Sequence, residues 1–301
     1  MLMIIFHHAH NRYNSIEFIS GGNILLNNPL YSIWHWGYLA TGVFFFLSGF
    51  GLLFSIQRNS PLDFKWLRIQ MKKLILPFLF LWVVYLICFA VWKPYCLKLP
   101  LLSEFLTLRS PGRDTWFFRV IIGAYFVIYT IFRYIRNDKF RLPVLWGCCF
   151  IYIIIMRKYC AGSWWYNSIL NFPMGVICAK YYKIIDSIPD IFILLLSGIT
   201  YLIVYRYIRI DIIESISFTI FIVWIVKYID IRSRYFNFIG VNSLLFYFLE
   251  KPTRDFLCIQ FIDNYWLFTV TAIIVTSIIV LVYNKSKNYI SFAKKTCFNN
   301  K

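Results

Sequence analysis

The sequence predicts an all-α, polytopic integral membrane protein with about ten transmembrane helices, and three observations predict it. The 301 residues are 60% hydrophobic and only 15% charged, against about 25% charged in soluble domains. Apolar runs recur down the whole length and are continuous rather than alternating, which selects helices over a closed barrel. The 31 Phe and 22 Tyr exclude a disordered chain.

The elements follow in order. The first run, MLMIIFHHAH, is about half the ~20 residues a span needs. Either the first helix is a stub or the natural start lies upstream. No basic n-region or small-residue cleavage site marks it as a signal peptide. Residues 11–29 are polar, with turn signals at Gly21-Gly22 and Asn27-Asn28-Pro29. The second helix is expected over residues 34–56. Arg58, Lys65, Arg68, Lys72 and Lys73 then form a basic loop or an amphipathic surface helix. The third helix covers 74–92, with Pro77 in its first turn, where a missing N–H costs little. A longer loop, 93–115, carries Pro94, Pro100, Pro111 and Gly112. Further helices are expected over 116–132, 142–156, 167–179, 188–205, 212–226, 235–249 and 265–283. These form one domain, 1–284, followed by a short basic cytoplasmic tail, 285–301.

The formal charge of +18 belongs to this topology. With the end of the first segment placed outside, 19 of the 31 Lys and Arg fall on the cytoplasmic side and 11 outside, Arg119 lying within a segment. That is the positive-inside bias, and it places the C-terminus in the cytoplasm. No nucleic-acid-binding motif accompanies the charge. None of the eight cysteines forms a CxxC pair, so neither a zinc knuckle nor a redox couple is indicated. A Cys96–Cys258 disulfide fits the topology, but nothing else supports it. No GxGxxG opens a βαβ unit and no P-loop appears, so dinucleotide and nucleotide-hydrolysing chemistry are unsupported. The absence of an internal repeat weighs against a secondary transporter.

Several segments carry a family resemblance. The run HWGYLATGVFFFLSGFGLLFS, followed by LRIQMKKLILPFLFLWVVY, resembles the second and third helices of the membrane acyltransferase-3 family. The matching positions are Gly37 or Gly42, Val43, Phe44 to Phe46, Ser48 and Gly49, then Arg68, Lys72, Lys73 and Pro77. MIIFHH resembles the end of the family's first helix, where its catalytic histidine stands. WFFRVIIGAYF, with Trp116, Phe117 and Tyr125, resembles the family's Trp-Phe helix. WWYNSILNFPMGVICAKY and FIGVNSLLFYFLEKP resemble later helices. Two features depart from the pattern. The family places an arginine upstream of the catalytic histidine, and counting back from His7 or His8 runs off the chain. Many relatives also have a late-helix histidine where this chain has Leu249-Glu250.

The resemblance implies transfer of an acyl group, most often acetyl, from cytoplasmic acyl-CoA to a hydroxyl of a cell-envelope glycan or glycolipid. It implies a multi-pass protein of the bacterial inner membrane, with membrane lipid and an envelope or lipid-linked glycan as partners. No bound cofactor is implied; acetyl-CoA or another acyl-CoA is the donor substrate. Such chemistry needs a base for the hydroxyl proton, and imidazole titrates close enough to neutrality to serve. His8 or His7 is the candidate, and adjacent helical positions point about 100° apart. Zinc is not expected: HHxH lacks further ligands, and no HExxH motif occurs.

His35, Trp36, Ser48 and Arg119 are candidates for lining the cavity or touching the acceptor. Trp36 equally suits the aromatic belt, Ser48-Gly49 equally suits close helix packing, and Arg119 equally suits snorkelling. Arg68, Lys72 and Lys73 are candidates for holding CoA phosphates, and equally for positive-inside anchoring. The competing class is a non-enzymatic exporter or flippase-like protein, or an inactive family member, in surface polysaccharide production. Neither would need His7 or His8.

Overall fold

The computed structural model describes residues 1–8, 37, 39–59, 62–92, 100–109, 115–159, 162–229, 233–253, 256 and 265–299. Thirteen α-helices and no strand occur among these residues. They are α1 (residues 2–8), α2 (Ala40–Arg58), α3 (Phe64–Trp92), α4 (Pro100–Leu106), α5 (Trp116–Tyr134) and α6 (Asp138–Tyr159). After them come α7 (Asn171–Lys180), α8 (Tyr182–Asp186), α9 (Asp190–Ile203), α10 (Asp211–Ile229), α11 (Arg234–Val241), α12 (Ser243–Pro252) and α13 (Tyr265–Asn299).

Seven segments are long and apolar enough to cross a membrane: Ala40–Arg58, Phe64–Val91, Trp116–Tyr134, Asp138–Tyr159, Asp190–Ile208, Asp211–Ile229 and Leu267–Lys287. The expected ten are not reproduced among the described residues, for local reasons. The first segment is the short α1. The sixth reduces to α7, preceded by a 3-10 turn at Ser163–Trp165. The ninth is interrupted at Asn242 and divides into the short α11 and α12; the Asn242 side-chain amide donates at 2.8 Å to Phe238 O, which its own backbone N–H also reaches.

Two further boundaries moved. The basic stretch after α2 is not a loop but the first turns of α3. Asp63 caps it by accepting from the Trp66 backbone N–H at 2.7 Å. Pro77 therefore sits well inside a 29-residue helix rather than in a first turn. The final helix likewise continues through the basic tail to Asn299. The expected polar stretch at 11–29 and the Cys96–Cys258 pair lie outside the described residues.

The chain forms two compact units. The first comprises 1–34, 76–112 and 234–301; the second comprises 35–75 and 113–233. The boundary within α3 falls between Ile75 and Leu76, next to Pro77.

In the first unit the core is aromatic. Phe78, 1% exposed, stacks on Phe105 at 6.3 Å and tilts against Phe248 at 5.9 Å. Phe268, Ala272, Thr276 and Val280 of α13 recur every fourth residue and are buried, while Leu267, Val270, Ile274 and Ile278 are exposed. This is the one-sided burial expected of a helix that faces lipid with its other side. Helix α12 buries Leu245 to Glu250 without interruption, so it is enclosed by its neighbours.

In the second unit α2 and α7 meet backbone to backbone. A Cβ on Gly49 would stand 2.1 Å from Phe172 O, and one on Gly175 would stand 2.0 Å from Phe46 O. Only glycine permits this approach, so the packing reading of Ser48-Gly49 holds at Gly49. Two turns before, Gly42 admits a buried polar cluster. Asn171 Nδ2 donates to Ser215 Oγ at 2.9 Å and to Ser168 O at 3.1 Å. Ser215 Oγ in turn donates to Ser168 Oγ at 3.2 Å. Thr41 Oγ1 lies 3.1 Å from Ser168 Oγ and completes the link to α2. These bonds satisfy the Asn171 amide N–H groups and link the Ser168, Ser215 and Thr41 hydroxyls where lipid offers no partner, while Asn171 Oδ1 is buried without one among the described residues.

Candidate functional site

In the first unit the histidine pair ends α1. Ile4 and Ile5 are 2% and 1% exposed and anchor this short helix. His8 lies one turn after Ile4 and so projects from the same buried side. Its Nδ1 stands 2.5 Å from Glu250 Oε1, with the imidazole 27% and the carboxylate 3% exposed. The ring of His7 is 5.7 Å from that of His8, tilted by 48°. Both histidines are thus at one place, and the carboxylate contact distinguishes His8.

Glu250 was visible in the sequence only as a charge at the edge of an apolar run. Its partner is 242 positions away, so no local pattern joins the two. A carboxylate inside an enclosed membrane helix was the available signal, because such a group is costly unless it is paired. It belongs to the Leu249-Glu250 step at which the sequence departs from the resembled family's late-helix histidine.

A carboxylate on Nδ1 has a definite chemical effect. With the Nδ1 proton donated to Glu250, the lone pair is left on Nε2 and the ring is fixed in orientation. Such a pair can serve as a general base held by an orienting carboxylate.

The remaining predicted residues belong to the second unit, apart from His35 and Trp36, which lie outside the described residues. Ser48 shares a side-chain hydrogen bond with Tyr125, so two of the positions that carried the resemblance touch. Arg119 stacks its guanidinium 4.5 Å from the Trp165 ring centroid. Arg119 also borders a cavity of about 360 Å³ between α5 and α6. Arg68, Lys72 and Lys73 are exposed on α3, with Lys73 Nζ donating to Gln70 Oε1 at 3.1 Å. Lys65, Arg68 and Lys72 recur on one face, so the stretch is the amphipathic helix that the sequence offered as an alternative to a loop.

Sequence reasoning missed a second basic cavity. Leu53, Ile56, Gln57, Phe132, Asp138, Arg141, Leu142 and Lys180 enclose about 310 Å³. Asp138 holds Lys180 at 2.5 Å and Arg141 at 3.2 Å across it, so both cations are already engaged.

A family model described as an acyltransferase domain, that of the acyltransferase-3 family, matches residues 1–285. No curated protein and no solved structure matches the chain. The match spans both units and contains every candidate site residue. On this evidence the multi-pass, helical membrane chain belongs to the acyltransferase-3 family.

Proposed function

We propose that the protein transfers an acetyl group from cytoplasmic acetyl-CoA to a hydroxyl of a cell-envelope glycan or lipid-linked glycan, in the bacterial inner membrane. The observation that carries this reading is the His8–Glu250 pair, within an acyltransferase family. His8 Nε2 takes the hydroxyl proton as the acceptor oxygen bonds to the thioester carbonyl carbon. The tetrahedral centre collapses, the carbon–sulfur bond breaks, and the imidazolium returns its proton to the departing CoA sulfur. Glu250 stabilises the imidazolium through Nδ1 and holds the ring in place. His7 stands close enough to act in its stead if His8 is only structural.

Arg68, Lys72 and Lys73 are the proposed grip on the CoA phosphates. Their exposure on one helix end supports this, because charge-assisted contacts need reachable donors. Neutralising all three is expected to raise the donor KM more than it lowers kcat, as removal of uniform binding does. Equal affinity of the triple variant for labelled acetyl-CoA would assign the cluster to membrane anchoring.

The deciding experiment is mass spectrometry of the surface glycan from cells with the wild-type gene, without it, and with His8→Ala or His7→Ala. The acyl increment is expected to vanish with His8→Ala while membrane expression persists. Loss with His7→Ala alone would transfer the role to His7. Unchanged acylation alongside lost surface glycan would support an exporter instead.

A further inference from the structure

Glycine is costly inside a helix, by roughly 1 kcal/mol relative to alanine, and usually persists where another element approaches closely. Gly49 and Gly175 meet that expectation, but Gly123 does not. It lies in the middle of α5, and a Cβ built on it meets nothing within 4 Å. What it faces is the cavity of about 360 Å³ bounded by α5, α6 and the start of α7.

That cavity has a direction. Arg119, Gly123 and Val127 line it from α5 at successive turns. Eight residues of helix span about 12 Å, so the slot is elongated along the helix. Cys148, Tyr152 and Met156 line the opposite wall with the same spacing. The walls are apolar except at one end, where Arg119 lies over Trp165. Tyr152 fixes that end by donating its hydroxyl proton to Trp165 O at 2.9 Å. Arg157 and Lys158, in the last turn of α6, follow directly on Met156. The outward side chains of α6, among them Phe150, Ile151, Ile154 and Ile155, are exposed and apolar.

We infer that this slot holds one acyl chain of an acidic phospholipid, with the phosphate against the Arg119 guanidinium. The volume lies within the ~300–1,000 Å³ of small-molecule sites. The occupant is a lipid because both walls belong to membrane-spanning helices, where lipid chains are the abundant apolar solute. Its head is anionic because the polar end of the slot is cationic, and a guanidinium binds phosphate by paired N–H donors. Gly123 keeps the middle of the slot open. Neither His8 nor Glu250 lines the slot, so lipid binding there is measured apart from the acyl-transfer base.

The test uses the full-length protein in phosphatidylcholine nanodiscs doped with a diazirine-tailed phosphatidylglycerol, followed by photolysis and peptide mapping. Label is expected on residues 119–127 and 145–156, displaced saturably by unlabelled phosphatidylglycerol. Gly123→Phe should reduce it to background, while Gly123→Ala retains it. Arg119→Gln should reduce occupancy roughly tenfold, the effect of one lost charge-assisted hydrogen bond, and Arg119→Lys should restore part of it. His8→Ala should label like wild type, so a failed acyl-transfer reading leaves this result intact. Labelling that is not saturable, or that persists in a folded Gly123→Phe protein, would overturn the site. Equal labelling by a phosphatidylcholine probe would overturn its charge selectivity, and displacement by glycerol phosphate would mark a free-anion site instead. Should Gly123→Phe fail to fold, the saturation experiment on the wild type decides alone.

Discussion

In the second unit, Asp138, Asp186 and Asp190 stand at helix ends with side chains 59%, 46% and 33% exposed, paired with Lys180 or Lys227. In the first unit Glu250 is 3% exposed and meets His8. All these contacts lie within 2.9 Å, but their energetics differ. Exposed pairs gain little, because water already solvates both charges and the side chains must be held still. A buried carboxylate must recover its lost hydration from its protein partners, at a cost that packing alone does not require. An exposed pair fastens helix ends, whereas a buried one at a histidine is the kind of arrangement that proton transfer needs.

Four substitutions sharpen or break that contrast, taken from the largest expected effect. Glu250→Gln keeps the shape and an acceptor for Nδ1–H but removes the charge. If Glu250 orients and stabilises His8, kcat should fall by about 10²-fold or more with the acceptor KM little changed. A parallel loss in KM and kcat, or none, would reduce Glu250 to a packing residue. Gly49→Ala comes next, a test of backbone contact rather than charge. With Phe172 O only 2.1 Å from the new Cβ, α2 and α7 must separate, costing roughly 3 kcal/mol. A melting temperature equal to wild type in detergent would contradict the close approach.

Ser215→Ala removes the hydroxyl that accepts from Asn171 and donates to Ser168. About 1 kcal/mol is expected, the scale of one hydrogen bond between membrane helices. An unchanged melting temperature would show that Asn171 and Ser168 find other partners. Lys227→Met, which frees Asp186 and Asp190, should be smallest, below about 1 kcal/mol, and weaker still in high salt. A loss as large as that of Gly49→Ala would mean that exposed pairs carry more of the fold than this contrast allows.

Much of the fold was legible in the sequence because a helix satisfies its own backbone. Apolar runs such as 116–132 and 212–226 had to become helices wherever they packed, and the structure extends each by only a few residues. Errors arose where a side chain or a neighbour intervened. The ninth segment is interrupted at Asn242, whose side-chain Oδ1 accepts from Asn284 Nδ2 at 2.8 Å, a partner 42 positions away. Pro77 falls inside α3 because the basic residues before it continue the helix. At the candidate site, His7 and His8 were legible as imidazoles at the end of an apolar run, and Arg119 as a charge within one.

The sequence by itself determined the membrane class, from a charged fraction too low for a soluble surface, and the candidate base, from histidines that gather at one end of the chain. It also carried the family, through runs of residues that lie next to one another. Only the tertiary structure decided that Glu250 faces His8, that Gly49 lies on a carbonyl while Gly123 faces open space, and that Arg119 closes one end of an apolar slot. Each of these joins positions distant in sequence or depends on what stands opposite a side chain. A linear pattern fixes which residues share a helix face, but not what that face meets.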